Sequence, residues 1–181
     1  MRKIALPALL LLAACASSTP APLKTPEWTD VPRTVLDAFC LRTVNEGISR
    51  ETAIHVYKVT RPLVTGASIA ALHDLYPDRR KPDMESLTLA QEQSARAPLP
   101  VVIPAEGCKW RPIERYEGPR DHDAELLELS APIVNPFSRG EAGLFARLSI
   151  GNQAPSWYWI PLGNHNERWM VGRILPMDLR N

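Results

Sequence analysis

The chain is poor in the residues that build nucleotide sites. Nine glycines are spread over 181 residues. Neither a P-loop nor a glycine-rich dinucleotide turn occurs, which excludes the two commonest ways of cradling phosphate on backbone N–H groups. Cysteine is scarcer still, with three in all and no Cys-x-x-Cys pair, so a dithiol redox site is excluded. The four histidines, His55, His73, His122 and His165, stand far apart with no other His or Cys at metal-ligand spacing, and no metal or cofactor is expected. No run of like charge occurs, and 21 Lys plus Arg face 20 Asp plus Glu. Nucleic-acid binding, which needs clustered cations against phosphate, is therefore set aside. Serine has no G-x-S-x-G setting, since Ser149-Ile150-Gly151 lacks the preceding glycine. No catalytic residue is assigned.

Long apolar runs are also missing. The longest, Ile4 to Leu12, follows Arg2 and Lys3 and ends in two alanines before Cys15. Basic residues, a short apolar stretch and small residues at a cut form the order of a secretory signal, and the stretch is too short to cross a bilayer as a helix. Leu12-Ala13-Ala14-Cys15 closely resembles the lipobox of bacterial lipoprotein precursors. That resemblance implies cleavage before Cys15, a thioether from its thiol to diacylglycerol, and an acylated amine. Two or three acyl chains give durable anchoring where one is marginal. Ala16 and Ser17, with no aspartate after the cysteine, resemble the enteric sorting pattern for the periplasmic face of the outer membrane, with the inner membrane and the cell surface as alternatives.

Removing residues 1–14 leaves 167, enough for one domain with its own core. Arg2 and Lys3 leave with the signal, so 21 cations become 19 against 20 carboxylates. Residues 15–27, with three prolines and little to bury, read as a lipidated tether, and 28–181 as a single domain. With Cys15 taken by lipid, Cys40 and Cys108 remain in an oxidising compartment. A disulfide is the expected state, and two buried free thiols the alternative.

What the chain has in plenty is proline, eighteen residues spread along it, which predicts many ordered turns and short helices. Thr29 or Asp30 can cap a helix through Val35, Leu36, Phe39, Cys40 and Val44, stopped by Gly47. A strand is expected from Ala53 to Thr60. Ser68 can cap a short helix ended by Tyr76-Pro77, and a polar helix follows to about Ala97 with Met84, Leu87 and Ala90 or Gln91 inward. Cys108 to Trp110 reads as a loop or edge strand. Strands are then expected over Ala124–Ser130, Ala142–Ile150, Ser156–Pro161 and Arg168–Leu175, each pair separated by turn residues. The fold class is α+β, with N-terminal helices packed on one face of a C-terminal antiparallel β-meander. Leu129, Ser130, Ile133, Val134 and Asn135, with Ala146 to Gly151 and Trp169 to Val171, resemble uncharacterised bacterial envelope domains, which transfer no activity.

Trp157-Tyr158-Trp159 is the candidate ligand-binding feature. Alternation puts Trp157 and Trp159 on one strand face, where exposed rings would stack on sugars and buried ones would fill a core; the core reading is preferred. Asp121-His122-Asp123 reads as a solvated turn. Glu114, Arg115, Glu117, Arg120 and Glu125 alternate in sign around Pro119 and read as solvated surface, while Glu125, Glu128 and Asp121 can be grouped as carboxylates without any known separation. The expectation for function is a non-catalytic binding or structural module of the cell envelope, anchored by Cys15 and meeting an envelope protein partner. The alternatives are a glycan-binding or glycan-cleaving protein using Trp157 and Trp159, and a small-molecule carrier.

Overall fold

The computed structural model describes residues 28–45, 52–79, 82, 84–95, 98–115, 125–138, 141–151, 153–165 and 168–179. The leader, Cys15, the tether, Gly47 and the Asp121-His122-Asp123 cluster lie outside the described residues. Helix α1 spans Arg33–Asn45, and its spacing does what the sequence requires: Val35, Leu36 and Phe39 have no exposure and Cys40 is buried. Strand β1 is Ala53–Tyr57, with Ile54 and Val56 inward and the alternate residues half-buried. Helix α2, Gly66–Asp74, is capped by Thr65 rather than Ser68. Ser68 sits three residues into a capping box, its N–H donating to Thr65 Oγ1 (3.1 Å) and its Oγ accepting from the Thr65 N–H (2.8 Å). Helix α3, Met84–Ser94, turns Ala90 and Gln93 inward and leaves Met84 exposed, against expectation. The Gln93 Oε1 accepts from the Val134 N–H at 2.7 Å and fixes the helix to the sheet.

The remaining strands are β2 (Lys109–Ile113), β3 (Glu125–Leu129), β4 (Ile133–Val134), β5 (Ala142–Ile150), β6 (Ser156–His165), β7 (Arg168–Val171) and β8 (Leu175–Met177). They form one sheet in the order β2-β1-β3-β5-β6-β7, with β4 paired to β5 and β8 to β6. The α+β class stands, but the sheet is mixed and not an antiparallel meander. Strand β1 lies between β2 and β3 and runs parallel to both. A parallel neighbour needs a long crossover, and the segment carrying α2 and α3 provides it between β1 and β2.

The helices do not share one sheet face. Leu144 and Ala146 of β5 and Tyr158 and Ile160 of β6 join one core with Val35, Leu36 and Phe39 of α1. Phe145 and Trp159, between them in sequence, join a second core with Ala71 and Leu72 of α2 and Ala90 of α3. Because successive strand residues point to opposite faces, the sheet is covered by α1 on one side and by α2 and α3 on the other. Strand β5 is accordingly buried at seven of nine positions, all but Arg147 and Ile150.

Two constraints fix the edges. Cys40 and Cys108 are bonded with a Cα–Cα distance of 5.6 Å, tying α1 to the residue before β2. Closing 68 residues contributes roughly 4 kcal/mol in the loop-entropy account. Gly107 adopts φ +100°, a conformation that glycine alone takes readily, just before the bonded cysteine. At the other edge, β7 and β8 continue one another along β6 with an extra residue between them: Val171 opposes Leu162, but Leu175 opposes Trp159. Gly172–Ile174 is thus a β-bulge in the edge strand, where the sequence suggests an unbroken one.

Gly143 lies under the Trp159 indole, and a Cβ there would strike the ring and stand 2.7 Å from the Ile160 carbonyl oxygen. Gly143→Ala should lower the unfolding free energy by about 2–3 kcal/mol. Gly163→Ala, where nothing lies within 4 Å, should change it by less than about 1 kcal/mol. Equal denaturation midpoints for the two variants would rule out this packing.

Candidate functional site

Strand β6 distributes its aromatic triplet over both faces. Tyr158 faces α1, edge-on to Phe39 with ring centroids 5.5 Å apart and the Arg42 guanidinium 4.7 Å from its centroid. Trp159 faces α2 and α3, has no exposure and tilts against Phe145 at 5.0 Å. Trp157 shares the face of Trp159 and packs against the same core, but is only half-buried. The two-ring platform considered from sequence is therefore reduced to one ring. Trp159 is core because α2 and α3 close over it.

Around Trp157 the register builds a row that runs across the sheet. Arg147 pairs with Trp157 on one side and Glu128 on the other, and Tyr57 is one step beyond the Val56–Leu127 pair. All four side chains share a face. Arg147 lies over the Trp157 ring, 5.5 Å from its centroid, and its Nε and Nη2 both reach Glu128 Oε2. Arg61 lies over the Tyr57 ring at 4.7 Å. Glu128 is nearly buried while Arg147 keeps about a third of its side-chain exposure. Such an arrangement holds fixed charges on rigid strands. Its carboxylate is committed to a guanidinium, which suits recognition better than proton transfer.

This row was missed from sequence. Its signal was one charge flanked by apolar residues in each of two strands, Glu128 between Leu127 and Leu129 and Arg147 between Ala146 and Leu148. Burial of such a charge demands a partner, but only the register between β3 and β5 shows that each is the other's.

The carboxylates grouped from sequence separate. Glu125 and Glu128 are three residues apart on β3 and so project to opposite faces, unable to flank one bond. Glu125 is not on solvated surface as expected: it is buried on the α1 face, its Oε2 has no hydrogen-bond partner, and burial raises its pKa above the usual carboxylate value. Glu114 does lie at the surface, where Lys58 Nζ contacts it at 3.0 Å. A second polar group forms at the far end of the sheet. The Tyr76 hydroxyl donates to Glu141 Oε2 at 3.4 Å and the Asn135 amide to the same oxygen at 3.3 Å. Burial, and then the charge of Glu141, raise the Tyr76 pKa.

Among the described residues no three His, Cys, Asp or Glu side chains are grouped to hold a metal ion. His55 is half-buried on β1, and His73 of α2 tilts against Phe137 at 5.0 Å. No helix among the described residues is long and apolar enough to cross a membrane. No protein-family model matches the chain, nor does any curated protein or solved structure.

Glu125 gives this region a pH dependence whose sign is fixed. Its folded pKa is above the unfolded one, so the native state holds the proton more firmly, and stability falls as pH rises from about 4 through the folded pKa. Glu125→Gln should therefore stabilise the protein at about pH 7 and lose that advantage below about pH 4. A stability difference that is flat with pH in urea titrations would exclude this assignment.

Proposed function

We propose that this chain is a lipid-anchored binding module of the bacterial cell envelope. It is exported, cleaved before Cys15, acylated there, and held at the periplasmic face of the outer membrane, where its domain meets an envelope protein. The observation that carries this reading is the cysteine count resolved by the fold. Cys40 and Cys108 are joined to each other, which leaves Cys15 as the remaining thiol, and it stands in the lipobox. A disulfide between separate elements suits an oxidising compartment, and a lipobox cysteine suits the same destination. The Tyr57–Glu128–Arg147–Trp157 row is the surface best suited to a protein partner, since arginine and aromatic residues on a rigid sheet are the usual anchors of interfaces.

One observation favours a second reading, in which the domain binds glycan: Trp157 is only half-buried, beside Arg147. Cell-wall pull-down that is lost with Trp157→Ala would favour it over protein contact.

Expression with its own leader in a Gram-negative host tests the main reading. Mass spectrometry of the N-terminal peptide should find residues 1–14 removed and Cys15 carrying diacylglycerol and an amide-linked acyl chain. The protein should sediment with the outer membrane, and Cys15→Ser should abolish both the modification and the sedimentation. An unmodified Cys15 in the wild-type chain would sink the proposal.

A further inference from the structure

The β2-β1-β3 end of the sheet carries a charge pattern of its own on the side away from α1. Trp110 of β2, Ile54 and Val56 of β1 and Leu127 of β3 pack in the core under α1, so alternation turns Arg111, Tyr57, Leu126 and Glu128 to the opposite face. Among the described residues, Tyr57 and Leu126 join neither core and stay half-buried. Three guanidinium groups stand on this face. Arg147 is committed to Glu128, the one carboxylate that these strands place there among the described residues. Arg61, held over the Tyr57 ring, and Arg111 are both exposed, and neither meets a carboxylate among the described residues.

The rings decide between the two kinds of partner considered for this row. A sugar stacks on the open face of an aromatic ring, and here Tyr57 and Trp157 each already carry a guanidinium, at 4.7 Å and 5.5 Å from their centroids. What remains for a partner is the N–H fork of a guanidinium held over a ring, which matches a carboxylate. We propose that this surface docks an acidic segment of the envelope protein, with Arg61 and Arg111 meeting its carboxylates. The proposal rests on the protein-contact reading of the row. Charge complementarity carries it: two exposed cations without a counter-charge stand on a chain that is otherwise balanced, with 21 Lys plus Arg against 20 Asp plus Glu. Arg111 lies on β2 and Arg61 beside Tyr57 of the adjacent β1, so an extended segment of about six residues, reaching roughly 20 Å, spans both and continues to Arg147 on β5.

The test uses a chain that starts at residue 15 with Cys15→Ser. All described structure lies at or after Trp28, so this chain keeps every described core contact and carries no acyl group. Its result is thus independent of whether Cys15 is acylated in the cell. Fluorescence anisotropy should show binding of labelled hexaglutamate, weakening as salt rises, and none of labelled hexaglutamine. Arg61→Gln and Arg111→Gln, both at exposed positions, should each weaken binding about threefold, and together on the order of tenfold. Arg173→Gln, on the bulge at the other edge, should leave binding unchanged. Equal binding of the two peptides, wild-type binding by the folded double variant, or an equal loss with Arg173→Gln overturns the proposal while the protein-contact reading stands. Polygalacturonate that competes at a lower carboxylate concentration than unlabelled hexaglutamate overturns both, in favour of an acidic glycan.

Discussion

Burial of both faces of β5 and β6 is the constraint on which the rest of the structure depends. A strand covered on one side can alternate apolar and polar residues, and AGLFARLSI does not. Leu144, Phe145 and Ala146 follow one another without a polar residue and are each buried, so a single helical layer could not satisfy them. Two layers are required, and the chain supplies them from different sides of β1. Trp159 is the largest element of the second layer, and it fits because Gly143 leaves room for its ring. Full burial of a tryptophan of this kind is worth about 3–5 kcal/mol against truncation, so the alternation that places it also sets which neighbours are left uncovered. Trp157, two residues earlier on the same face, packs against that core but is only half-buried.

The same geometry explains what could be read from the amino acids and what could not. Strand β5 was legible to the residue because a nine-residue segment, apolar but for Arg147 and Ser149, stands between turn residues, and α1 was legible because its apolar residues recur at three and four. The cysteine pairing followed from a count of three with one assigned elsewhere. Pairing between distant segments left no local trace. Nothing in AIHVY states that it will lie parallel between KWRPI and ELLEL, and the crossover that makes this possible also carries the two helices that cover the second face. The bulge was hidden for a related reason, since RWMVGRIL reads as one strand and only its register with β6 exposes the added residue. Capping misled by three residues at Thr65 because Thr65 and Ser68 both take part in one reciprocal box.

The two carboxylates of β3 show how position on a sheet decides chemistry. Glu128 and Glu125 occupy the same short strand and are equally buried, yet one meets a guanidinium and the other meets apolar side chains. The first is bound in an ion pair, and the second is pushed toward its neutral form by desolvation. A group that gains nothing from its neighbours weakens the fold near neutral pH, whereas an ion pair with its geometry set by two strands specifies register at little net cost. The ion-paired carboxylate thus lies on the face covered by α2 and α3, and the unpartnered one on the face covered by α1.

On the α1 face the retained charge is displaced to the edge, and the bulge is the reason. A regular edge strand would offer its free N–H and C=O groups for pairing with another chain. Here the strand is interrupted at Gly172–Ile174, one carbonyl is taken by Arg42, and α1 stands over the break. The interruption thus removes a site for strand addition and in the same step fixes a guanidinium beside an exposed arginine and an exposed leucine. Since α1 is also bonded through Cys40 to the opposite edge at Cys108, its position over the bulge is set by the core at one end and by a covalent link at the other.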